Sequence, residues 1–143
     1  MTELTYTRIF HAPRELVFRC MIDPAHLTHF WGPSGTTTPQ AEIRVDPRPG
    51  GVFETVMVNQ SDGRRYASRS VFVEVTAPER LIWTDTDTGV TTTSTFADLD
   101  GGRTEVTIHQ VGVPEAYLSP QAQAGFKTSL DRFAAHLATL IEA

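Results

Sequence analysis

The 143 residues and 15.8 kDa suit one domain spanning 1–143, large enough to bury a core without disulfide or metal staples. A net charge of −5 with no basic run weighs against binding a phosphate backbone, and no apolar stretch approaches the roughly 18 residues of a membrane span. Residues 1–6 carry no signal-peptide pattern, and Cys20 stands alone, which excludes an internal disulfide and a multi-cysteine zinc site. The expectation is a soluble cytoplasmic protein, with no nucleic acid among its partners and no membrane insertion.

With 20 threonines, 12 valines and 6 isoleucines, β-branched residues exceed a quarter of the chain, and such side chains suit a pleated, half-buried surface. The 11 arginines set against the single Lys127 have no functional reading. Residues 4–11 read as a first strand that ends at Ala12-Pro13. Beyond it Leu16, Val17, Cys20 and Met21 share one helical face, with Pro13 suited to the first helical turn. Asp23 before Pro24 signals the N-cap of a second short helix reaching about Phe30, which Trp31-Gly32-Pro33-Ser34-Gly35 then breaks.

Strands are predicted over 40–46, 52–59, 65–76, 80–86, 90–98 and 103–111. The turns between them are rich in Gly, Pro and Asp. None is long enough for a parallel crossover, so the sheet is antiparallel. From Ser119-Pro120 onward the period returns to 3.6, with Phe126, Leu130, Phe133, Leu137 and Leu140 or Ile141 in one stripe and Asp131 and Arg132 off it. Such a helix of some 22 residues has only the sheet to bury its stripe against.

A curved sheet around one helix leaves an apolar cavity where the two diverge. Alternation groups Phe53 with Thr55 and Met57, Val71 with Val73, Leu81 with Trp83, and Val106 with Ile108. The candidate cavity residues are Trp31, Phe53, Thr55, Met57, Val71, Val73, Trp83, Phe96, Val106, Ile108, Phe126 and Leu130. The same side chains equally make a solid core, and alternation does not say which face is inward.

Groups able to carry chemistry are few. His26 and His29 are three apart on the second helix, whereas the helical zinc motif spaces its histidines by four. Without a third ligand they read as polar residues on an exposed helix, and no metal or other cofactor is expected. Cys20, among Val17, Phe18, Met21 and Ile22, reads as an inert core thiol. Glu74 shares a strand face with Phe72 and is expected partly buried, paired with Arg69 or Arg80. His109 faces away from Val106 and Ile108. Both are possible polar ligand contacts if their sides face the cavity. Gly50-Gly51 and Gly101-Gly102 open no helix and are not phosphate loops. No catalytic residue is assigned.

An ordered set of segments carries a resemblance. It comprises Ala12-Pro13-Arg14-Glu15-Leu16-Val17-Phe18, Asp23-Pro24-Ala25-His26-Leu27, Trp31-Gly32-Pro33 and Asp46-Pro47-Arg48-Pro49-Gly50-Gly51. It continues with Glu74-Val75, Pro78-Glu79-Arg80-Leu81, Ser129-Leu130-Asp131-Arg132-Phe133 and Ala135-His136-Leu137. Together they resemble the family named for the C-terminal domain of the activator of Hsp90 ATPase, within the START-like, or Bet v 1-like, helix-grip superfamily. The chain departs from it at Phe30 and Phe126, where relatives often carry tryptophan, so cavity shape is open while the fold is not. The resemblance implies an α+β helix-grip fold of six to seven antiparallel strands gripping a long C-terminal helix, with a cavity between them.

The leading expectation is a binder of a small apolar or amphipathic molecule. The alternatives are a chaperone-associated or stress-response interaction protein exposing the Phe30–Pro33 region, and a cyclase- or hydrolase-like enzyme using His109 or Glu74. A homodimer through the Trp31 region or an edge strand is compatible with all three. A fold-level likeness does not choose among them.

Overall fold

A computed structural model of the chain describes residues 2–141. Strand β1 (Glu3–Phe10) leads into helices α1 (Arg14–Cys20) and α2 (Pro24–Phe30). There follow β2 (Thr36–Thr37), a 3-10 turn (Gln40–Glu42), β3 (Arg44–Val45), β4 (Val52–Asn59), β5 (Arg65–Thr76), β6 (Arg80–Asp85), β7 (Thr91–Leu99) and β8 (Arg103–Val111). A second 3-10 turn (Glu115–Leu118) precedes helix α3 (Pro120–Ile141). The sheet is antiparallel throughout, in the order β1-β8-β7-β6-β5-β4-β2, with β3 also paired to β4. No helix among the described residues is long and apolar enough to cross a membrane.

Local chemistry starts the helices where the sequence signals them. The Asp23 carboxylate accepts the Ala25 N–H at 2.9 Å, and the Ser119 hydroxyl accepts the Ala122 N–H at 3.1 Å, each satisfying a donor with no partner inside its helix. Pro13 sits one place earlier than expected, as the N-cap of α1. The predicted strand over 40–46 is mostly a turn. Pro39 starts the 3-10 segment, Ile43 drops into the core, and only Arg44–Val45 pairs with β4.

One irregularity decides which side chains of β5 face inward. Phe72 pairs with Trp83 and Glu74 with Ile82, so Val73 is an extra, bulged residue, 57% exposed. Before the bulge Ser70 and Phe72 point inward; after it Val75 does. Glu74 therefore does not share the face of Phe72 as simple alternation predicts. It points outward and pairs with Arg80 at 3.5 Å.

The inner face of the sheet carries Tyr6, Phe10, Phe53, Phe72, Leu81, Trp83, Phe96, Val106 and Ile108, all buried. Leu130, Phe133 and Leu137 of α3 cover it, while Phe126 and Leu140 are partly buried and Ile141 is exposed. Phe133 is the central anchor: it stacks on Phe30 of α2 at 4.1 Å between ring centroids and meets Phe10 of β1 at 4.9 Å. Two early elements and the last helix are thus joined at one ring. Phe133→Ala is expected to lower stability by about 3–5 kcal/mol in urea denaturation. Val73→Thr, out on the bulge, should stay within about 0.5 kcal/mol of the parent.

Candidate functional site

Sheet and helix are in close contact at the C-terminal half of α3 and separate at its N-terminal half. Between them lies a pocket of about 550 Å³. Its closed end is the Phe10–Phe30–Phe133 cluster. One wall is aromatic: Phe53 lies 5.1 Å from Trp31 and 5.2 Å from Trp83, ring centroid to centroid. On the other, Tyr6 stacks on Phe126 at 4.3 Å. Exposed Thr88, Tyr117 and Gln121 border the open side.

The space exists because small side chains face each other across it. The sheet contributes Thr55, Ser68, Ser70, Thr92 and Ser94, and α3 contributes Ala122, Gly125 and Ser129. A row of leucines at these positions would fill the gap to ordinary packing density. The hydroxyls also give the floor of the pocket a polar stripe. Ser68 donates to Asp85 at 3.3 Å and Thr92 accepts from the Gln110 amide at 3.4 Å. Thr55 Oγ1 and Ser94 Oγ are buried and have no hydrogen-bond partner among the described residues.

The electrostatics are one-sided. Among the described residues that line the pocket there is no arginine, lysine or histidine, and Asp85 is the one carboxylate. That carboxylate is engaged by the Asp87 and Thr88 backbone N–H groups at 2.8 and 2.9 Å, which fold the β6–β7 turn. The charged pairs lie elsewhere, as where Glu54 meets Arg69 at 2.7 Å and Arg44 at 3.3 Å.

Trp31 is aimed into the pocket by a turn built for it. Gly32 has φ +96°, and a Cβ there would lie 2.7 Å from Thr36 Oγ1 and 2.9 Å from Met57 Sδ, so only glycine fits. From α3, the Arg132 guanidinium donates to the carbonyls of Gly32 at 2.8 Å and Pro33 at 3.2 Å.

Of the sequence candidates, Trp31, Phe53, Thr55, Met57, Trp83, Val106, Ile108, Phe126 and Leu130 come together around the pocket. Three do not. Val71 and Val73 lie on the outer face of β5, opposite Ser70 and Phe72, and Phe96 is buried under α1 against Phe18 at 5.3 Å. The two polar candidates also lie outside. His109, 41% exposed, bonds Glu3 at 2.7 Å on the outer face, and Glu74 is turned outward by the bulge. Sequence reasoning missed Ser70, Thr92 and Ser94, although Ser70 stands two places from Phe72, and Ser94 and Thr92 two and four places from Phe96, so that alternation alone would have placed them on the inner face. The Cys20 thiol is buried in the core, and that burial pushes its pKa up to about 11.

Arg132→Ala leaves two carbonyls of the Trp31 turn without their charged donor. A loss of about 1–3 kcal/mol is expected, with increased acrylamide quenching of tryptophan fluorescence as Trp31 loosens. Unchanged quenching would mean that the turn holds itself.

Residues 11–138 match the family model described as activator of Hsp90 ATPase homolog 1-like protein. Among proteins of curated function, none matches the chain. Several solved structures do. A Chromobacterium violaceum protein is 29% identical, with 94% of this chain and 96% of that one covered and a TM-score of 0.83. An AHSA1-like protein from Aeromonas hydrophila is 26% identical, with 97% and 94% covered and a TM-score of 0.81. A Nitrosomonas europaea protein, 24% identical with 99% and 97% covered and a TM-score of 0.87, speaks to the fold alone. With nearly the whole chain matched in sequence pattern and in backbone, the protein belongs to the activator of Hsp90 ATPase homolog 1-like family and has its START-like, helix-grip fold.

Proposed function

We propose that the protein binds one small apolar or amphipathic molecule, without an anionic group, between the sheet and α3. The observation that carries this reading is the pocket itself: about 550 Å³ of space with an aromatic wall and two buried, unpartnered hydroxyls. That volume is within the range of about 300–1,000 Å³ usual for small-molecule sites. Each Å² of apolar ligand surface removed from water contributes roughly 25 cal/mol, and Trp31, Phe53 and Trp83 supply the surface to cover it. A buried hydroxyl without a partner costs about 1–3 kcal/mol. A ligand hydroxyl, carbonyl or amide reaching Thr55 or Ser94 removes that cost and fixes its own orientation.

Charge selects among ligands. A carboxylate moved into this pocket loses its hydration, finds no cation on the lining, and shares the space with Asp85. An alcohol of equal length pays neither penalty. The chaperone-partner alternative expects an exposed apolar patch at Phe30–Pro33, but Phe30 and Gly32 are buried and Trp31 faces the pocket. The enzyme alternative places His109 or Glu74 in the cavity, and both stand outside it.

Both tryptophans of the chain line the pocket, so occupancy is read as a change in intrinsic fluorescence. Titration with a long-chain alcohol should saturate at one molecule per protein, at least tenfold tighter, or about 1.4 kcal/mol, than the carboxylate of the same length. Equal affinity for the two, or no saturation by either, contradicts the reading. Thr55→Val supplies a second check: the empty protein should be as stable as the parent or more so, while the alcohol binds about five- to tenfold more weakly, a hydrogen bond's worth of about 1 kcal/mol.

A further inference from the structure

Away from the pocket, α1, α2 and the last turns of α3 meet at a cluster of soft ligands. Cys20 ends α1, His26 stands in the first turn of α2, and His136 comes from α3. His26 Nδ1 and His136 Nε2 are 2.9 Å apart. The Cys20 sulfur and one nitrogen of each of these histidines all lie within 4.8 Å of one another. His29 stacks flat on His136, with centroids 4.9 Å apart and planes 14° apart, which fixes the orientation of that ring.

We propose that Cys20, His26 and His136 form a binding site for one transition-metal ion of the zinc class. A thiolate and two imidazoles favour such borderline or soft cations over magnesium and calcium, which take oxygen ligands. In tetrahedral coordination, with metal–nitrogen bonds of about 2.0–2.1 Å and a metal–sulfur bond of about 2.3 Å, the ligand atoms stand roughly 3.3–3.6 Å apart. The two nitrogens must therefore part by a few tenths of an ångström and the sulfur close in, movements within reach of side-chain rotation. Both histidines are half-buried, so the ion reaches the site from solvent and a water completes the fourth position.

The proton balance is simple. One imidazole gives up the hydrogen bond it donates to the other by shifting to its second tautomer, with no net loss. The thiol releases one proton to solvent as the sulfur–metal bond forms. Burial keeps the thiol protonated while no ion is there, and desolvation together with the neighbouring His29 and His26 lowers the pKa of His136. The residues are separate from the pocket, so this site stands or falls independently of the ligand reading. Cys20 and His136 supply the further ligands that His26 lacks within its own short helix.

Cobalt(II), titrated anaerobically into reduced full-length protein, is the probe. The expected result is a thiolate-to-cobalt charge-transfer band in the near ultraviolet, with the visible bands of four-coordinate cobalt, saturating at one ion per chain. Zinc should abolish both. Cys20→Ala should lose the charge-transfer band, and His136→Gln should bind at least tenfold more weakly with its circular dichroism unchanged. Zinc should raise the Tm of the parent and not that of His136→Gln, since an ion that binds only the folded state stabilises it. Absence of a saturable charge-transfer band in the parent, or undiminished affinity in His136→Gln, overturns the proposal. The histidine variant keeps the test decisive should Cys20→Ala fail to fold.

Discussion

The seating of Phe133 between Phe30 and Phe10 is the contact on which the molecule depends. It joins the C-terminal half of α3 to the first strand and to α2, the second of the two short helices, and it sets where the long helix is held down. Leu130 and Leu137 extend the same contact by one turn on either side. A straight helix held at one end over a curved sheet must diverge from it at the other, and the Tyr6–Phe126 stack is the one aromatic bridge across that gap. Core and pocket are two ends of a single packing arrangement.

What fills the divergent end is a matter of side-chain volume. Leucine or phenylalanine at Ser70, Ser94, Ala122 and Gly125 would produce a solid core with the same fold. Serine, alanine and glycine there leave a volume that costs dispersion contacts and, at Thr55 and Ser94, hydrogen bonds. A chain selected only for stability has no reason to keep these positions small. An occupant of the kind proposed would repay the cost, and among the described residues the lining offers no cation to an anionic group. Family membership agrees with a ligand-binding or chaperone-associated role without choosing between them; the inward turn of Trp31 and the unpartnered hydroxyls favour the first.

Much of the fold was legible because local chemistry and the overall arrangement agree. The Asp23 and Ser119 caps start their helices where expected, and β4, β5 and β8 coincide with the predicted ranges of alternation. The failures have physical causes. The bulge at Val73 has no glycine or proline to announce it, yet it reverses the alternation of β5 and carries Glu74 out of the interior. At 40–46 the β-branched residues suggest a strand, but Pro39 and the burial of Ile43 favour a turn. Whether core or cavity lies under α3 depends on which small residues meet across the gap, which only register and tertiary packing decide. The approach of His136 to His26 spans 110 residues and has no sequence signal at all.

Native mass spectrometry of the protein mixed with a long-chain alcohol, then desalted, counts the molecules held between sheet and helix. One alcohol per chain is expected for the parent and the bare protein mass for Ala122→Phe, whose ring would project into the pocket. Bare protein in both cases, or a ladder of adducts equal in the two, would contradict binding in the pocket.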